Sequence, residues 1–255
     1  MFDHSVLVQA LGADARYFDA ELLPECASTN ALLLARAEAG APSGMVIVAE
    51  RQTAGRGRRG RAWLSAPGDS LTFSLLWRFA PGTLPQGLSL AAGLAVTQAL
   101  TKLGVGDTAL KWPNDVMKGG RKLAGILVEL VPGAPHAAVI GIGLNLKLPA
   151  AMPEELRAIS AALDTDAEPN ILLAAILSEL KTTLEIFARH GFGALREAWR
   201  ARHAFEDAPI RLLADFASPR AGICRGVDRD GALLFESDGR IERVLSGEVS
   251  LRPVS

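Results

Sequence analysis

Cysteine, histidine, tyrosine and lysine are all scarce in this sequence, and each shortage closes off a class of function. There are two cysteines, Cys26 and Cys224, far apart in the chain. Two distant cysteines predict isolated buried thiols rather than a disulfide framework, and so a reducing compartment. His4, His136, His190 and His203 have no His or Cys neighbour at ligand spacing, which leaves a zinc site without support. No window holds 18 uninterrupted apolar residues. The best stretch, Leu88 to Leu100, is broken by Ser89, Gly93, Thr97 and Gln98, so no membrane span is expected. The start, Met1-Phe2-Asp3-His4-Ser5, has an early acid and no cationic run, unlike a secretory signal. Together these absences predict a cytoplasmic protein. Net charge is missing too. Lys+Arg 27 against Asp+Glu 28 gives −1, so bulk charge points to neither nucleic acid nor an acidic membrane.

What is present is ordinary globular material, 49% apolar and 22% charged over 255 residues, enough for one to two domains at roughly 150 residues each. Only six of the cations are lysine, at 102, 111, 118, 122, 147 and 181; the other cations are arginine. Ser28-Thr29-Asn30 before an apolar run that stops at Gly40 predicts a helix over 28–39. Strands are expected over 44–50, 71–79, 109–112, 123–131 and 137–146, and a helix over 85–103. Beyond Pro149, Ile171, Ala174, Ala175, Leu177, Leu180, Leu184 and Phe187 mark one face of a long helix, with a second over 194–202. From Ala208 short strands alternate with Asp-Gly turns, at 209–213, 221–227, 232–236, 241–245 and 248–252. The reading is a mixed α+β domain over 1–206 and a small barrel-like β domain over 207–255.

Four clusters carry chemistry. Arg51 to Arg61 holds five arginines in 11 residues with no acid. Interleaved glycines let such a loop bend tightly around an anion, and the guanidinium fork pairs with phosphate or carboxylate. A solvated basic loop or RNA-binding tract has the same composition, but Trp63 and the flanking strands favour an anion-binding site. In Lys111-Trp112-Pro113-Asn114-Asp115, proline ends a strand and leaves Lys111, Asn114 and Asp115 at its tip. An Asp beside a Lys suits a Mg2+ carried by a nucleotide; an ordinary surface turn fits as well. Lys122 opens an apolar strand, either as a point charge for an anion or as a snorkelling cation. Gly141 and Gly143 clear one face of a strand for a flat ligand or another backbone, with Asn145 in reach. Ser28, Ser65, Ser70 and Ser74 lack a nearby His, so no triad is assembled. The glycines form no dinucleotide fingerprint.

In this order and spacing the strings resemble the biotin–protein ligases (biotin–[acetyl-CoA-carboxylase] ligase). They are S-T-N at 28–30, Q-T-A-G-R-G-R-R-G-R-A-W at 52–63, K-W-P-N-D-V at 111–116, K-L-A-G-I-L-V-E at 122–129 and G-I-G-L-N-L at 141–146. S-G-E-V-S-L-R at 246–252 is similar to the family's terminal domain. The resemblance implies a mixed sheet flanked by helices, of the class II synthetase type, followed by an SH3-like β-barrel. It implies that biotin is activated by Mg·ATP as biotinyl-5′-AMP and passed to a lysine of the biotin carboxyl carrier protein. By the same resemblance Ser28, Thr29, Asn30 and Gln52 surround the biotin head group. Gly55, Arg56, Gly57, Arg58, Lys122, Gly125, Gly141, Gly143 and Asn145 complete the substrate site. Arg56, Arg58, Arg61, Trp63 and Asn145 belong to the nucleotide. Arg58, Lys122, Lys111 and Asp115 are the catalytic set, with Asp115 at the metal.

Twenty-seven residues precede the first predicted helix, too few for a DNA-reading helix-turn-helix. The resemblance is therefore to the short form, monomeric or homodimeric, that binds no DNA and no membrane. The alternatives are a lipoate–protein ligase sharing the adenylate chemistry and, from another class, a nucleic-acid-binding module using residues 51–61.

Overall fold

A computed structural model describes residues 2–150, 152–165, 167–214, 218–246 and 249–253. Its first helix, α1 (His4–Leu11), starts at Asp3, whose carboxylate accepts from the Ser5 and Val6 amides. Then come β1 (Asp19–Cys26), α2 (Thr29–Glu38), β2 (Met45–Gln52), β3 (Ser70–Arg78), α3 (Leu88–Lys102), β4 (Thr108–Lys111), β5 (Asp115–Lys118), β6 (Arg121–Val131) and β7 (Ala134–Asn145). After these follow α4 (Glu154–Ile159), α5 (Pro169–His190) and α6 (Arg196–Arg200). The remaining strands are β8 (Pro209–Ala214), β9 (Arg220–Val227), β10 (Leu233–Ser237), β11 (Arg240–Val244) and β12 (Val249–Pro253).

Seven strands form one sheet in the order β1-β2-β3-β7-β6-β5-β4. Only β1 and β2 run parallel, because α2 supplies the crossover that parallel strands need; the other neighbours are antiparallel. The pleat of β2 separates two layers. Val46 and Val48 face the large core under α1, α3 and α5, whereas Met45 and Ile47 pack against Leu33 and Ala37 of α2. Residues buried on both faces explain why 44–50 reads as an unbroken apolar run. Helix α5 keeps the expected face, with Leu177, Leu180, Leu184 and Phe187 buried, while Ile171 is exposed in its first turn.

The last five strands form a second, antiparallel sheet in the order β11-β10-β9-β8-β12, an SH3-like arrangement. The expected strand over 248–252 appears as β12; Glu248 and Gly247 lie outside the described residues. The larger core continues into this sheet through Ile210, Cys224, Val227, Leu233, Phe235 and Leu251. Trp112, fully buried at the β4–β5 turn, donates its Nε1–H to the Gly231 carbonyl, 3.1 Å away, in the β9–β10 turn. Both cysteines are free thiols, Cys224 buried and Cys26 only half-buried. Among the described residues, no helix is long and apolar enough to cross a membrane. Four elements differ from the sequence reading. Strand β5 and helices α1 and α4 are short, and too few residues repeat in them to raise a period; β1 lies at the sheet edge, where acids and Pro24 interrupt any apolar alternation.

Candidate active site

One cavity of about 240 Å3 opens over the middle of the seven-stranded sheet. Its floor is organised by rows of residues in register across three strands. In one row Ser74 of β3, Gly141 of β7 and Leu127 of β6 lie side by side; in the next, Thr72, Gly143 and Gly125. Both glycine positions of β7 are filled by other parts of the chain. A Cβ on Gly141 would lie 2.0 Å from Asn30 Oδ1, and one on Gly143 would lie 2.3 Å from Trp63 Cε2. The bare strand face therefore receives an amide and an indole rather than standing open, because α2 and the arginine loop both close down onto it.

The head of α2 forms one end of the cavity. Ser28 is the N-cap and accepts from the Ala31 amide. Gln52 Oε1 at the end of β2 accepts from Thr29 N (2.7 Å) and lies 3.1 Å from Thr29 Oγ1. Asn30 Nδ2 donates to Glu129 Oε2 (2.8 Å) and to the Leu127 carbonyl (3.2 Å), while its Oδ1 accepts from Ser74 Oγ at 2.5 Å.

The arginine-glycine loop forms the lid. Arg56 bridges to Ala62, the Gly57 amide donates to the Arg61 carbonyl (2.7 Å), and the Trp63 amide donates to the Gly55 carbonyl (2.9 Å). This folds the loop into a narrow hairpin capped by a 3-10 turn over Arg58–Gly60, with Arg59 at φ +60°. Gly55 does not line the cavity. A Cβ there would meet the Trp63 carbonyl at 2.5 Å, so its contribution is to let the two arms of the loop touch. Arg58 leaves the loop to donate to Asn114 Oδ1 (3.2 Å) and to the carbonyl of Ser246 from the C-terminal sheet. Asn114 is in turn stitched to β6, donating to the Ile126 carbonyl at 2.8 Å and accepting from the Ile126 amide at 2.9 Å.

Cations crowd the other end. Lys122 Nζ lies 2.6 Å from Asp115 Oδ1 and 5.8 Å from the centre of a Trp63 ring. Lys111, opposite Asp115 in the β4–β5 register, is buried. Burial first, and then the like charges of Arg252, Lys122 and Arg61 against the opposing pull of Asp115, bring its pKa down to about 8. Burial likewise pulls the Arg58 guanidinium below its ordinary value, with Asp115 opposing and Arg59 and Arg61 reinforcing. A buried cluster of one sign is costly unless an anion completes it. Apart from Gly55, every residue expected at the site lines this cavity, although Asn145 spends its side-chain amide on the Ala161 carbonyl at 2.9 Å.

Residues 23–145 match the model of the Biotin/lipoate A/B protein ligase family, and residues 221–252 match that of the Biotin protein ligase C terminal domain. The chain is 35% identical to the biotin–[acetyl-CoA-carboxylase] ligase of Mycobacterium tuberculosis, over 97% of this chain and 94% of that protein. The chain belongs to the biotin protein ligase family. It is 39% identical to the bifunctional ligase/repressor BirA of Escherichia coli, over 91% of this chain and 73% of that protein. Among solved structures it superposes on the biotin protein ligase from Aquifex aeolicus in complex with biotin and ATP. That match has a TM-score of 0.81 at 30% identity and covers 92% of this chain and 99% of that one.

Several lining residues of this family member carry no motif. Met152, Leu156 and Ile159 of the α4 segment form an apolar wall, and Leu251 and Arg252 arrive from β12. Leu156 and Ile159 sit in a six-residue helix, too short to show a period, and Met152 just before it; Arg252 was visible only as part of S-G-E-V-S-L-R. Among the described residues, no group of three or more His, Cys, Asp or Glu is placed to hold a metal. A lone carboxylate, Asp115, fits a Mg2+ that arrives already coordinated by phosphate oxygens.

Proposed function

We propose that the chain is an ATP-dependent biotin–protein ligase acting through this cavity, with the biotin carboxyl carrier protein of acetyl-CoA carboxylase as acceptor. The observation that carries the reading is the division of one cavity into two chemically opposite ends. The Thr29-Asn30-Gln52 end offers neutral hydrogen-bonding groups for a head group, and the Lys111-Lys122-Arg58 end offers concentrated positive charge. A neutral ring bearing a carboxylate tail spans those two ends in one orientation only.

In the first step a biotin carboxylate oxygen attacks the α-phosphorus of Mg·ATP. The bond to the β-phosphate breaks, and pyrophosphate leaves. Two anions must approach for this, and Arg58 and Lys122 at the cationic end of the cavity offset their repulsion and stabilise the charge spread over the phosphorus. Lys111, with Asp115 beside it at the turn, takes the triphosphate and its Mg2+. Arg56 and Arg61 hold phosphate oxygens, and Trp63 covers the nucleotide. In the second step the acceptor lysine amine attacks the acyl carbon, the bond to AMP breaks, and the amine gives up a proton. The narrow loop hairpin over the mixed anhydride excludes water meanwhile. The division of labour places residues 1–206 as the catalytic unit and 207–255 as a small β unit that supplies Arg252 and the Ser246 carbonyl.

Pyrophosphate release tests the reading. It is expected to require biotin and ATP together and to precede transfer to a carrier domain. Release supported by lipoate but not by biotin would move the chain to the neighbouring lipoate specificity. Binding to nucleic acid that collapses steeply with salt, without pyrophosphate release, would discard the ligase reading.

A further inference from the structure

Glu129 takes part in two contacts that the roles above leave unused. It follows Gly125 and Leu127 on the same face of β6, is about one-quarter exposed, and sits beneath both the head of α2 and the arginine loop. One oxygen accepts from Asn30 Nδ2 at 2.8 Å, and the carboxylate pairs with Arg56 at 3.4 Å. A carboxylate only accepts. The nitrogen of the Asn30 amide must therefore face β6, and its oxygen must face β3. Ser74 then spends its one proton on Asn30 Oδ1, and its hydroxyl oxygen, 2.8 Å from Thr29 Oγ1, is left as an acceptor. Protons along Thr29, Ser74 and Asn30 run toward Glu129. The remaining lone pairs of Asn30 Oδ1 and Thr29 Oγ1 are acceptors for N–H donors such as those of a cyclic urea.

We propose that Glu129 is a positioning residue that sets the direction of this hydrogen-bond relay and tethers Arg56 to the same floor, so that the head-group pocket and the arginine loop order together. This rests on the ligase reading, and it adds the residue that makes the pocket an acceptor surface. Seating Asn30 on the bare Gly141 between Ser74 and Leu127 holds the relay rigid, since the amide has nowhere else to turn.

Two substitutions separate the two contacts. Glu129→Gln keeps an acceptor for Asn30 but loses the charge facing Arg56; Glu129→Met loses both. A hydrogen bond to a charged group corresponds to about tenfold or more in affinity. In biotin- and ATP-dependent pyrophosphate release, E129M is expected to raise the biotin KM about tenfold and the ATP KM, through the freed Arg56, clearly less, by about threefold at most. E129Q is expected to keep the biotin KM within about threefold of the parent, yet shorten the residence of bound biotinyl-5′-AMP several-fold, as loss of a loop contact requires. An unchanged biotin KM in E129M, or equal increases in both KM values, overturns the proposal. So does an E129Q protein that retains its adenylate as long as the parent. Should E129M fail to fold, Ser74→Ala removes the relay at its middle: a raised biotin KM supports the proposal, and an unchanged one overturns it. A parent protein that releases no pyrophosphate with biotin sinks the ligase reading itself, a result distinct from an active parent matched by its variants.

Discussion

Lys122 and Asp115 face one another across the β5–β6 pair, with Nζ 2.6 Å from the nearer carboxylate oxygen and a Trp63 ring 5.8 Å above. The ion pair holds the ammonium at the cavity wall, half-shielded from water, where a fixed charge meets a developing negative charge without reorganising. Lys122→Ala is therefore expected to slow adenylation more than it weakens biotin binding. Single-turnover pyrophosphate release should fall by about 100-fold or more, with the biotin Kd changed far less. Equal losses in both would reduce Lys122 to a binding residue.

Lys111 has a folded-state pKa of about 8, set chiefly by burial. It is charged at neutral pH and loses its proton as the pH passes 8. Because a triphosphate needs the charged form, the KM for ATP should rise between pH 7 and 9 while the KM for biotin stays level. Lys111→Arg, which stays protonated at every accessible pH, should flatten that profile. A parent ATP KM independent of pH over this range would show that Lys111 does not meet the phosphates.

Gly141 is the seat of Asn30. Gly141→Ala would place a methyl carbon 2.0 Å from Asn30 Oδ1, so the Asn30 side chain must leave its bonds to Ser74, Leu127 and Glu129. The expected cost is about 1–3 kcal/mol of stability, together with a biotin affinity reduced by tenfold or more as the relay is displaced. Isothermal titration with biotin and denaturant unfolding read the two effects. Unchanged biotin affinity would place the head group elsewhere.

His203 lies buried between the two sheets, 3.4 Å from Glu206, 3.9 Å from Cys224 Sγ and stacked on Trp199. Burial drives its pKa down to about 4 despite the pull of Glu206. Between pH 6.5 and 4 the unfolded chain takes up a proton that the folded chain refuses, so stability falls as the pH drops through that window. The full loss from this group amounts to about 3 kcal/mol. Urea unfolding of the parent and of His203→Gln at pH 7.5 and 4.5 isolates it. The variant should show a visibly smaller fall between the two pH values, and an identical fall in both proteins would assign the acid sensitivity to other groups.

Local chemistry was legible wherever it repeats or punctuates. The cap at Ser28, the stop at Gly40, the run over 44–50 and the Asp-Gly turns of the C-terminal sheet each answer to a short-range rule, and each element formed where that rule placed it. Arginines packed between glycines announced an anion site for the same reason. The unexpected parts depend on contacts between distant segments. Nothing in G-I-G-L-N says that Asn30 and Trp63 occupy the cleared face, because a glycine reports only that something comes close. The apolar wall of Met152, Leu156 and Ile159 carries no motif, since a cavity wall needs only shape. Arg252 reaches the cavity, and Ser246 reaches Arg58, only because one core runs from Trp112 into the second sheet.

Cation identities and their order along the chain were thus determined by sequence alone, and with them the kind of ligand. Tertiary structure decided which cations share one cavity and how far burial lowers the pKa of Lys111. It also decided that Glu129 faces Asn30 and Arg56 at once. Charge type is a property of a residue, whereas electrostatic strength and hydrogen-bond direction depend on what lies within a few ångströms. Only the folded chain brings those neighbours together.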